Sequence, residues 1–105
     1  MSDDLRGGVP LPDAAQMVAA PRKGLIHFLA CAIGEFTIAA RAAYEPVVVD
    51  QLMRCNEAIH RLSGHLRDLA DPDEPMTHSR ADGILEQLSL LPPGRARELA
   101  TGSPL

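Results

Sequence analysis

The residue pattern between Val48 and Leu69 constrains the fold more than any other part of the sequence. Apolar residues recur there at intervals of 4, 3, 4, 3, 4 and 3 residues. This spacing keeps them on one side of an α-helix and is typical of the seam of a helical bundle. The pattern predicts a helix that runs to about Ala70 and buries the stripe Val48, Leu52, Cys55, Ile59, Leu62, Leu66 and Leu69.

A second amphipathic segment precedes this helix, over Gly24–Tyr44. One side of it carries apolar residues at helical spacing, and His27, Gly34 and Arg41 lie opposite. We expect Pro46 to occupy the first position of the following helix, because a proline loses no hydrogen bond there. The buried stripe predicted for Gly24–Tyr44 is Leu25, Leu29, Ala32, Phe36, Ala40 and Ala43, widened by Ile26 and Ile33.

Shorter helices are predicted on both sides of this pair. Asp13 is a good N-cap for a short helix over Ala14–Ala20. After an acidic, proline-rich loop, Ser79 is expected to cap a third helix over Arg80–Leu91. The segment Arg95–Ala100 is expected to add one or two further turns.

These segments together predict an all-α fold. The simplest arrangement is an antiparallel helical hairpin with the shorter third helix packed across it. Such a hairpin leaves apolar surface uncovered, so we expect a homodimer in which two hairpins form a four-helix bundle. The helical domain is expected to span residues 24–100. A flexible N-terminal arm over 1–23, holding the short helix, and a frayed tail over 101–105 are expected to flank it.

Composition narrows the class of protein. The net charge of -4, from 10 basic and 14 acidic residues, argues against a general nucleic-acid surface. The start, MSDDLRGG, does not resemble a secretory leader, and the apolar run Gly24–Gly34 is too short to cross a bilayer. Cys31 and Cys55 lack metal-ligand spacing, so we expect reduced, buried thiols in a cytoplasmic protein of bacterial type. We expect no nucleic acid, membrane or cofactor.

The residues off the stripe of the second long helix carry the candidate function. Glu57 and His60 lie roughly opposite the stripe, with Met53 and Gly64 on the same side. In the simplest interpretation Glu57 pairs with Arg61 one turn on, and His60 is an ordinary surface histidine. Gly64 then admits a close neighbour. This predicts a non-catalytic interaction or regulatory module in which Met53, Arg61 and Gly64 contact the partner.

A metal site is a second interpretation of the same face. Glu57 and His60 form the Glu-x-x-His pair that di-iron carboxylate bundles place on one helix, so the motif resembles a ferritin-like half-site. Glu35 lies 11 residues before Pro46, and Glu57 lies 11 after it. An antiparallel hairpin would therefore bring Glu35 and Glu57 level, and a dimer would supply both sets. However, such ligands project into a bundle core, whereas this pair points away from the stripe.

Phosphotransfer is the third interpretation. The segment Glu57–Leu66, EAIHRLSGHL, resembles the phosphoacceptor segment (H-box) of one class of bacterial sensor histidine kinases, with a pattern like E-x-x-H-R-V-K-N-x-L. Ser63 and Gly64 depart from the Lys-Asn pair. The resemblance implies that His60 accepts a phosphoryl group, with Glu57 as a neighbouring acid or base, in a dimeric helical bundle. No nucleotide-binding motif is present, so another protein would supply the phosphoryl group.

The sequence therefore predicts, in this order, three functions. The first is a non-catalytic helical interaction or regulatory module, forming a homodimer and binding another regulatory protein. The second is a signalling module that uses His60 for phosphotransfer. The third is a dimeric metal-binding bundle built from Glu35, Glu57 and His60.

Overall fold

The computed structural model describes residues 11–103 and residue 105, and all regular structure within them is helical. The all-α prediction is confirmed for this part of the chain. The first ten residues of the predicted arm, and Pro104 of the predicted tail, lie outside it. Five helices follow one another: α1 (Ala14–Ala19), α2 (Arg22–Tyr44), α3 (Val49–Leu69), α4 (His78–Leu88) and α5 (Pro93–Gly102).

Helix α1 begins where the sequence predicts. The Asp13 carboxylate accepts a hydrogen bond of 2.8 Å from the Gln16 backbone N–H, and the Gln16 side-chain oxygen accepts one of 2.8 Å from the Asp13 N–H. This reciprocal pair satisfies two N–H groups that a helix start leaves free. The helix packs against α4 and buries Met17 completely. The packed core thus includes residues that the sequence assigned to a flexible arm.

Helix α2 buries the face that its sequence predicts. The six central residues of the predicted stripe are buried, together with Phe28, whereas Ile26 and Ile33 at its margin are only half-buried. His27, Gly34 and Arg41 are exposed on the opposite side, as expected. Both phenylalanines of the chain, Phe28 and Phe36, are fully buried. The largest apolar surfaces of this aromatic-poor protein therefore lie on one helix, where their burial contributes most to stability.

The turn between α2 and α3 differs from the prediction. Helix α3 begins at Val49, so Pro46 is not its first residue. The backbone before Val49 is not helical: Val47 has a φ of 42°, in the left-handed region that β-branched residues rarely adopt, and Val48 is extended. The N–H groups of these two valines donate to carbonyls at the end of α2, at 3.0 and 2.7 Å. The chain reverses here through a tight turn, which a helical Pro46 would prevent.

The predicted stripe of α3 is buried only in part. Its buried members are Cys55, Leu62 and Leu69. Its half-buried members are Leu52, Ile59 and Leu66, whereas Val48, also predicted to be buried, is exposed. Ala58, outside the stripe, is fully buried, so the face that meets the rest of the protein is rotated toward Ala58. Ile59 lies at the edge of this face rather than at its centre, which corrects the predicted seam.

Helices α2 and α3 form an antiparallel hairpin. Arg22, the first residue of α2, donates hydrogen bonds to the backbone carbonyls of Leu69 (3.0 Å), Asp71 (2.9 Å) and Glu74 (2.6 Å), at and beyond the end of α3. The end of a helix leaves carbonyls without partners, and the donor fork of arginine serves several at once. The start of α2 is thus tied to the end of α3, which confirms the predicted hairpin.

Helix α4 begins two residues before its predicted start. Its N-cap is Thr77 and not Ser79: the Thr77 hydroxyl oxygen accepts a hydrogen bond of 3.1 Å from the Arg80 N–H. Threonine and serine both cap well, so local sequence does not choose between them. Arg80, whose N–H group donates to the Thr77 cap, also forms ion pairs with Asp68 at 3.3 Å and with Glu74 at 2.9 Å. These contacts with α3 and the preceding loop hold the start of α4 in this position.

Helix α5 confirms that the chain adds further turns after α4. Helix α4 ends at Leu88, three residues earlier than predicted, and α5 starts with Pro93, which suits a first helical position. Helix α5 extends to Gly102, so the start of the predicted frayed tail is helical. It packs on α2, where Arg95 forms a 3.0 Å ion pair with Glu35.

Helix α2 is, among the described helices, the one long and apolar enough to cross a bilayer by length and composition. This is weak evidence for a membrane span, because the core helix of a soluble protein meets the same criterion. One face of α2 is buried inside the protein here.

The hairpin has one covered side and one open side. Helices α4 and α5 lie on the side of His65 and Glu35, which contact Arg80 and Arg95. Helical spacing places an apolar row on the other flank of α2 and of α3, and the two rows lie on the same side because the helices are antiparallel. These half-buried or exposed residues form the open face: Ile26, Ile33, Tyr44, Val48, Leu52, Ile59 and Leu66.

Burial predicts unequal costs for two truncations in α3. Leu62→Ala removes a fully buried side chain and should lower the free energy of unfolding by about 2–5 kcal/mol. Ile59→Ala should cost clearly less, because Ile59 is already partly in contact with water. Urea unfolding followed by circular dichroism measures both values. Equal costs would mean that Ile59 is as deeply packed as the original stripe predicts.

Candidate functional site

A groove of about 440 Å³ lies between α3 and α4. None of its lining residues is a large apolar residue, so the groove offers hydrogen bonds and charge rather than hydrophobic contact. The lining is formed by His60, Arg61, Ser63, Gly64, His65, Arg67 and Asp68 of α3, and by Gly83, Glu86 and Gln87 of α4.

Two glycines leave part of the groove without side chains. A Cβ atom at Gly64 would lie 3.9 Å from Nη2 of Arg67, and one at Gly83 would lie 3.9 Å from Nε2 of His65. Both are ordinary contact distances to side chains that line the groove. The sequence suggested that Gly64 admits a close neighbouring helix. Among the described residues, no other helix comes close to Gly64. Close packing requires glycine at neither position, although glycine within a helix costs about 1 kcal/mol relative to alanine.

His65 is held by a charged network at one end of the groove. Nη1 of Arg80 lies 2.9 Å from Nδ1 of His65, and the same guanidinium bonds the carboxylates of Asp68 and Glu74. Arginine can only donate, so Nδ1 accepts and carries no proton. The ring proton of neutral His65 is therefore on Nε2, near Gly83. His65 presents a fixed N–H donor toward α4.

The surroundings of His65 favour its neutral form. Burial lowers the pKa of His65, and the Arg80 guanidinium lowers it further, while the Asp68 carboxylate acts in the opposite direction. The first two effects prevail, because removing the imidazolium from water and placing it beside a fixed cation both raise its free energy. The hydrogen bond from Arg80 and the lowered pKa both favour the neutral form of His65.

Gln87 supplies a polar group from α4. Its residue surface is only 8% exposed, and its amide makes no hydrogen bond to another described residue. No side-chain nitrogen or oxygen among the described residues is both fully buried and unpartnered. The unpartnered atoms of the Gln87 amide therefore keep some contact with solvent, and Gln87 lines the groove.

The charges around the groove are only partly paired. Arg61 bonds the Glu57 carboxylate at 3.2 Å, as the i, i+4 spacing predicts, and both side chains are well exposed. Asp68 is engaged by Arg80. Within the described part of the chain, Arg67 and Glu86 have no ion-pair partner. The groove thus carries one available cation and one available anion.

Four residues that the sequence singles out on α3 lie on the part of this helix that faces away from α2. Met53 is 64% exposed, and Glu57 and His60 are exposed as well. Together with Gly64 they form what we call the outer ridge. Only His60 and Gly64 of the ridge border the groove. The ridge is accessible, as the spacing indicates.

The three candidate metal ligands are not brought together within one chain. Glu35 points to α5, where Arg95 binds its carboxylate, and Glu57 is bound to Arg61 on the outer ridge. Level positions along a hairpin do not give a shared face, because Glu35 lies on the flank covered by α5. Within residues 11–103, no three side chains of His, Cys, Asp or Glu are grouped so that they could hold a metal ion.

Both cysteines are free thiols, as predicted. Cys55 is buried, as expected, but Cys31 is only half-buried. Burial raises the pKa of Cys55, which keeps its sulfur protonated and poorly nucleophilic.

Several groove residues were missed by sequence reasoning. His65, Arg80 and Gln87 come from two helices whose pairing no local pattern reveals. Gly83 carried a readable signal, because glycine is unfavourable within a predicted amphipathic helix. The same signal at Gly64 agrees with the groove, whereas Gly34, also within a predicted helix, does not line this groove.

Comparisons with known proteins do not extend this description. No protein-family description, no curated protein and no solved structure matches the chain. The functional proposals therefore rest on the residues themselves.

The lowered pKa of His65 predicts a pH-dependent stability. The unfolded chain binds a proton near the ordinary histidine value of 6.5, and the folded protein does so only at lower pH. The unfolding free energy should therefore fall as pH drops through about 6.5 and level off below the folded pKa. His65→Asn keeps an acceptor for Arg80 without the titration, so it should flatten this part of the profile. Denaturant unfolding from pH 7.5 to 5 measures it.

His60→Ala is the matched control for that experiment. It removes an exposed imidazole from the same helix, so stability should change by less than about 0.5 kcal/mol and the pH profile should keep its slope. If the slope disappears in His60→Ala and persists in His65→Asn, the assignment to His65 is wrong.

Proposed function

We propose that this protein is a non-catalytic interaction module that forms a homodimer through its open face. The supporting observation is the pair of apolar rows on the same side of the hairpin, away from α4 and α5. Tyr44 is 69% exposed and Val48 is 46% exposed. The rows continue along both helices through half-buried aliphatic residues. Contiguous apolar surface of this kind marks interaction sites in soluble proteins.

The open face has about the size that a dimer interface needs. Helix α2 has 23 residues and is therefore about 35 Å long. Two helices with axes about 10 Å apart present a strip roughly 20 Å wide, on the order of 700 Å² per copy. A standard interface buries about 800 Å² per partner. Two hairpins placed face to face would form a four-helix bundle.

The polar group within the open face supports the same use. Thr37 lies in the α2 row of the open face, one turn after Ile33. Its hydroxyl donates a 2.8 Å hydrogen bond to the Ile33 carbonyl within the helix. Covering Thr37 with a second copy would therefore leave no unsatisfied hydroxyl donor. In this dimer the outer ridge, with Met53 and Gly64 beside Arg61, stays available to another regulatory protein.

Charge placed on the open face should dissociate the dimer. Tyr44→Asp and Val48→Asp change exposed side chains, so each should leave the fold intact and bury an unpaired carboxylate in the interface. Sedimentation velocity at tens of micromolar should give a dimer for the natural chain and a monomer for the double variant. Circular dichroism checks that the helices remain.

Met53→Asp is the control, because Met53 is comparably exposed but lies on the outer ridge. It should leave the dimer unchanged. Dissociation by Met53→Asp alone would move the interface to the outer ridge, and a monomeric natural chain would exclude self-association.

Phosphotransfer by His60 is the second candidate. His60 is exposed, stands at the edge of the groove, and has Arg61 beside it. These features add to the resemblance of Glu57–Leu66 to a phosphoacceptor segment. A nitrogen of His60 would attack the phosphorus of an acyl phosphate on another protein. The P–N bond would form as the P–O bond breaks, and the carboxylate of that protein would leave.

A phosphorylated receiver domain tests this candidate. Incubation with the natural chain should transfer radiolabelled phosphate, and His60→Ala should abolish the transfer. His27→Ala removes another exposed histidine, on α2, and should have no effect. Label that still appears in His60→Ala, or transfer absent from the natural chain, contradicts the role of His60.

A further inference from the structure

We propose that the groove between α3 and α4 binds a small ligand through an oxyanion, either a phosphate or a carboxylate, that Arg67, His65 and Gln87 contact. This site is separate from the open face, and reversible binding in it does not require phosphotransfer by His60.

Two side chains of α3 supply donors to the groove. Arg67 has no ion-pair partner within the described residues, and its Nη2 lies 3.9 Å from the position that a Cβ atom of Gly64 would occupy. The Nδ1 atom of His65 accepts from Arg80, so the Nε2–H group of His65 is the one left to donate, beside Gly83. A cationic fork and a neutral N–H donor that both line the groove suit an anionic oxygen group.

Gln87 contributes a polar side chain from α4. Its residue is more than nine-tenths buried, and its amide has no hydrogen-bond partner among the described residues. No side-chain nitrogen or oxygen of these residues is both fully buried and unpartnered, so the amide keeps contact with solvent, and a ligand in the groove that Gln87 lines can take the place of water there. Gln87 comes from α4, so the donors face the groove from both helices.

Both glycines of the groove lie next to these donors. Gly64 and Gly83 lie within helices, where glycine is unfavourable, and neither is in close contact with the backbone of another helix. Each leaves space next to one of the two donor nitrogens. A methyl group at either position would occupy space that a ligand needs to reach Arg67 or His65.

The remaining charge restricts the ligand. Glu86 lines the groove and has no ion-pair partner within the described residues. It repels a bare anion, but it would accept a hydrogen bond from a hydroxyl or amino group of the same ligand. The structure therefore favours a compound that carries an oxyanion together with such a donor group over a simple anion.

Titration calorimetry and amide chemical shifts can measure binding of glycerol phosphate, inorganic phosphate and acetate. We expect glycerol phosphate to bind more tightly than inorganic phosphate, with shifts confined to α3 and α4. Arg67→Gln should weaken phosphate binding about tenfold, through the loss of a charge-assisted hydrogen bond. Glu86→Gln should strengthen the binding of inorganic phosphate. Acetate binding with the same dependence on Arg67 would identify carboxylate as the oxyanion.

Matched variants separate the groove from general effects. Gly64→Ala and Gly83→Ala should raise the midpoint of thermal unfolding and weaken binding. Gly34→Ala should raise the midpoint without affecting binding, because no atom lies within 4 Å of its Cβ position. Arg41→Gln removes an exposed charge on α2 and should leave binding unchanged.

Two results would overturn the proposal. One is the absence of binding by all three compounds at millimolar concentration. The other is equal weakening by Arg67→Gln and Arg41→Gln, which would indicate general attraction to the surface. Neither result bears on the dimer, which is measured separately through the open face.

Discussion

The antiparallel contact between α2 and α3 is the interaction on which the other helices depend. Small residues allow it: Ala32 and Ala39 of α2, and Ala58 of α3, are all buried, so the two helices can approach closely. Hydrogen bonds hold both ends of the contact. At one end the Arg22 side chain donates to the Leu69 carbonyl, and at the other the N–H groups of Val47 and Val48 donate to carbonyls at the end of α2. Helix α4 packs on α3, helix α5 on α2, and helix α1 on α4.

The loop after α3 links this hairpin to the groove. Glu74 is held twice, since Arg22 binds its backbone carbonyl and Arg80 binds its carboxylate. Arg80 in turn fixes the start of α4 and the ring of His65. Arg22 and Arg80 therefore both hold the loop, and burial together with Arg80 favours the neutral form of His65. Such a network is costly if half satisfied, so its members act together.

The molecule has two surfaces of different character. The open face is apolar and follows the length of the hairpin, whereas the groove is polar and is formed by α3 with α4. They lie on different sides of α3, because one helix can contact α2 and α4 and still present a third side. A homodimer through the open face would leave the groove accessible, so association and ligand binding are physically compatible.

Sequence by itself determined the helical elements and the buried face of α2. The spacing of Leu25 to Ala43, the Asp13 cap and the Glu57–Arg61 pair were predicted because they depend on residues within one turn or one helix. The exposure of the outer ridge follows from the same periodicity.

Only the tertiary structure decided which side of each helix met which neighbour. Ile59 lies at the edge of the buried face of α3, because the small Ala58 packs against the neighbouring helix. Pro46 lies outside α3, because the chain reverses through a turn at Val47 before the helix begins. The groove was unreadable from sequence, since His65, Arg80 and Gln87 meet only after α4 docks on α3. Periodicity reports the orientation of side chains around one axis, whereas a site between helices depends on contacts that are distant in sequence.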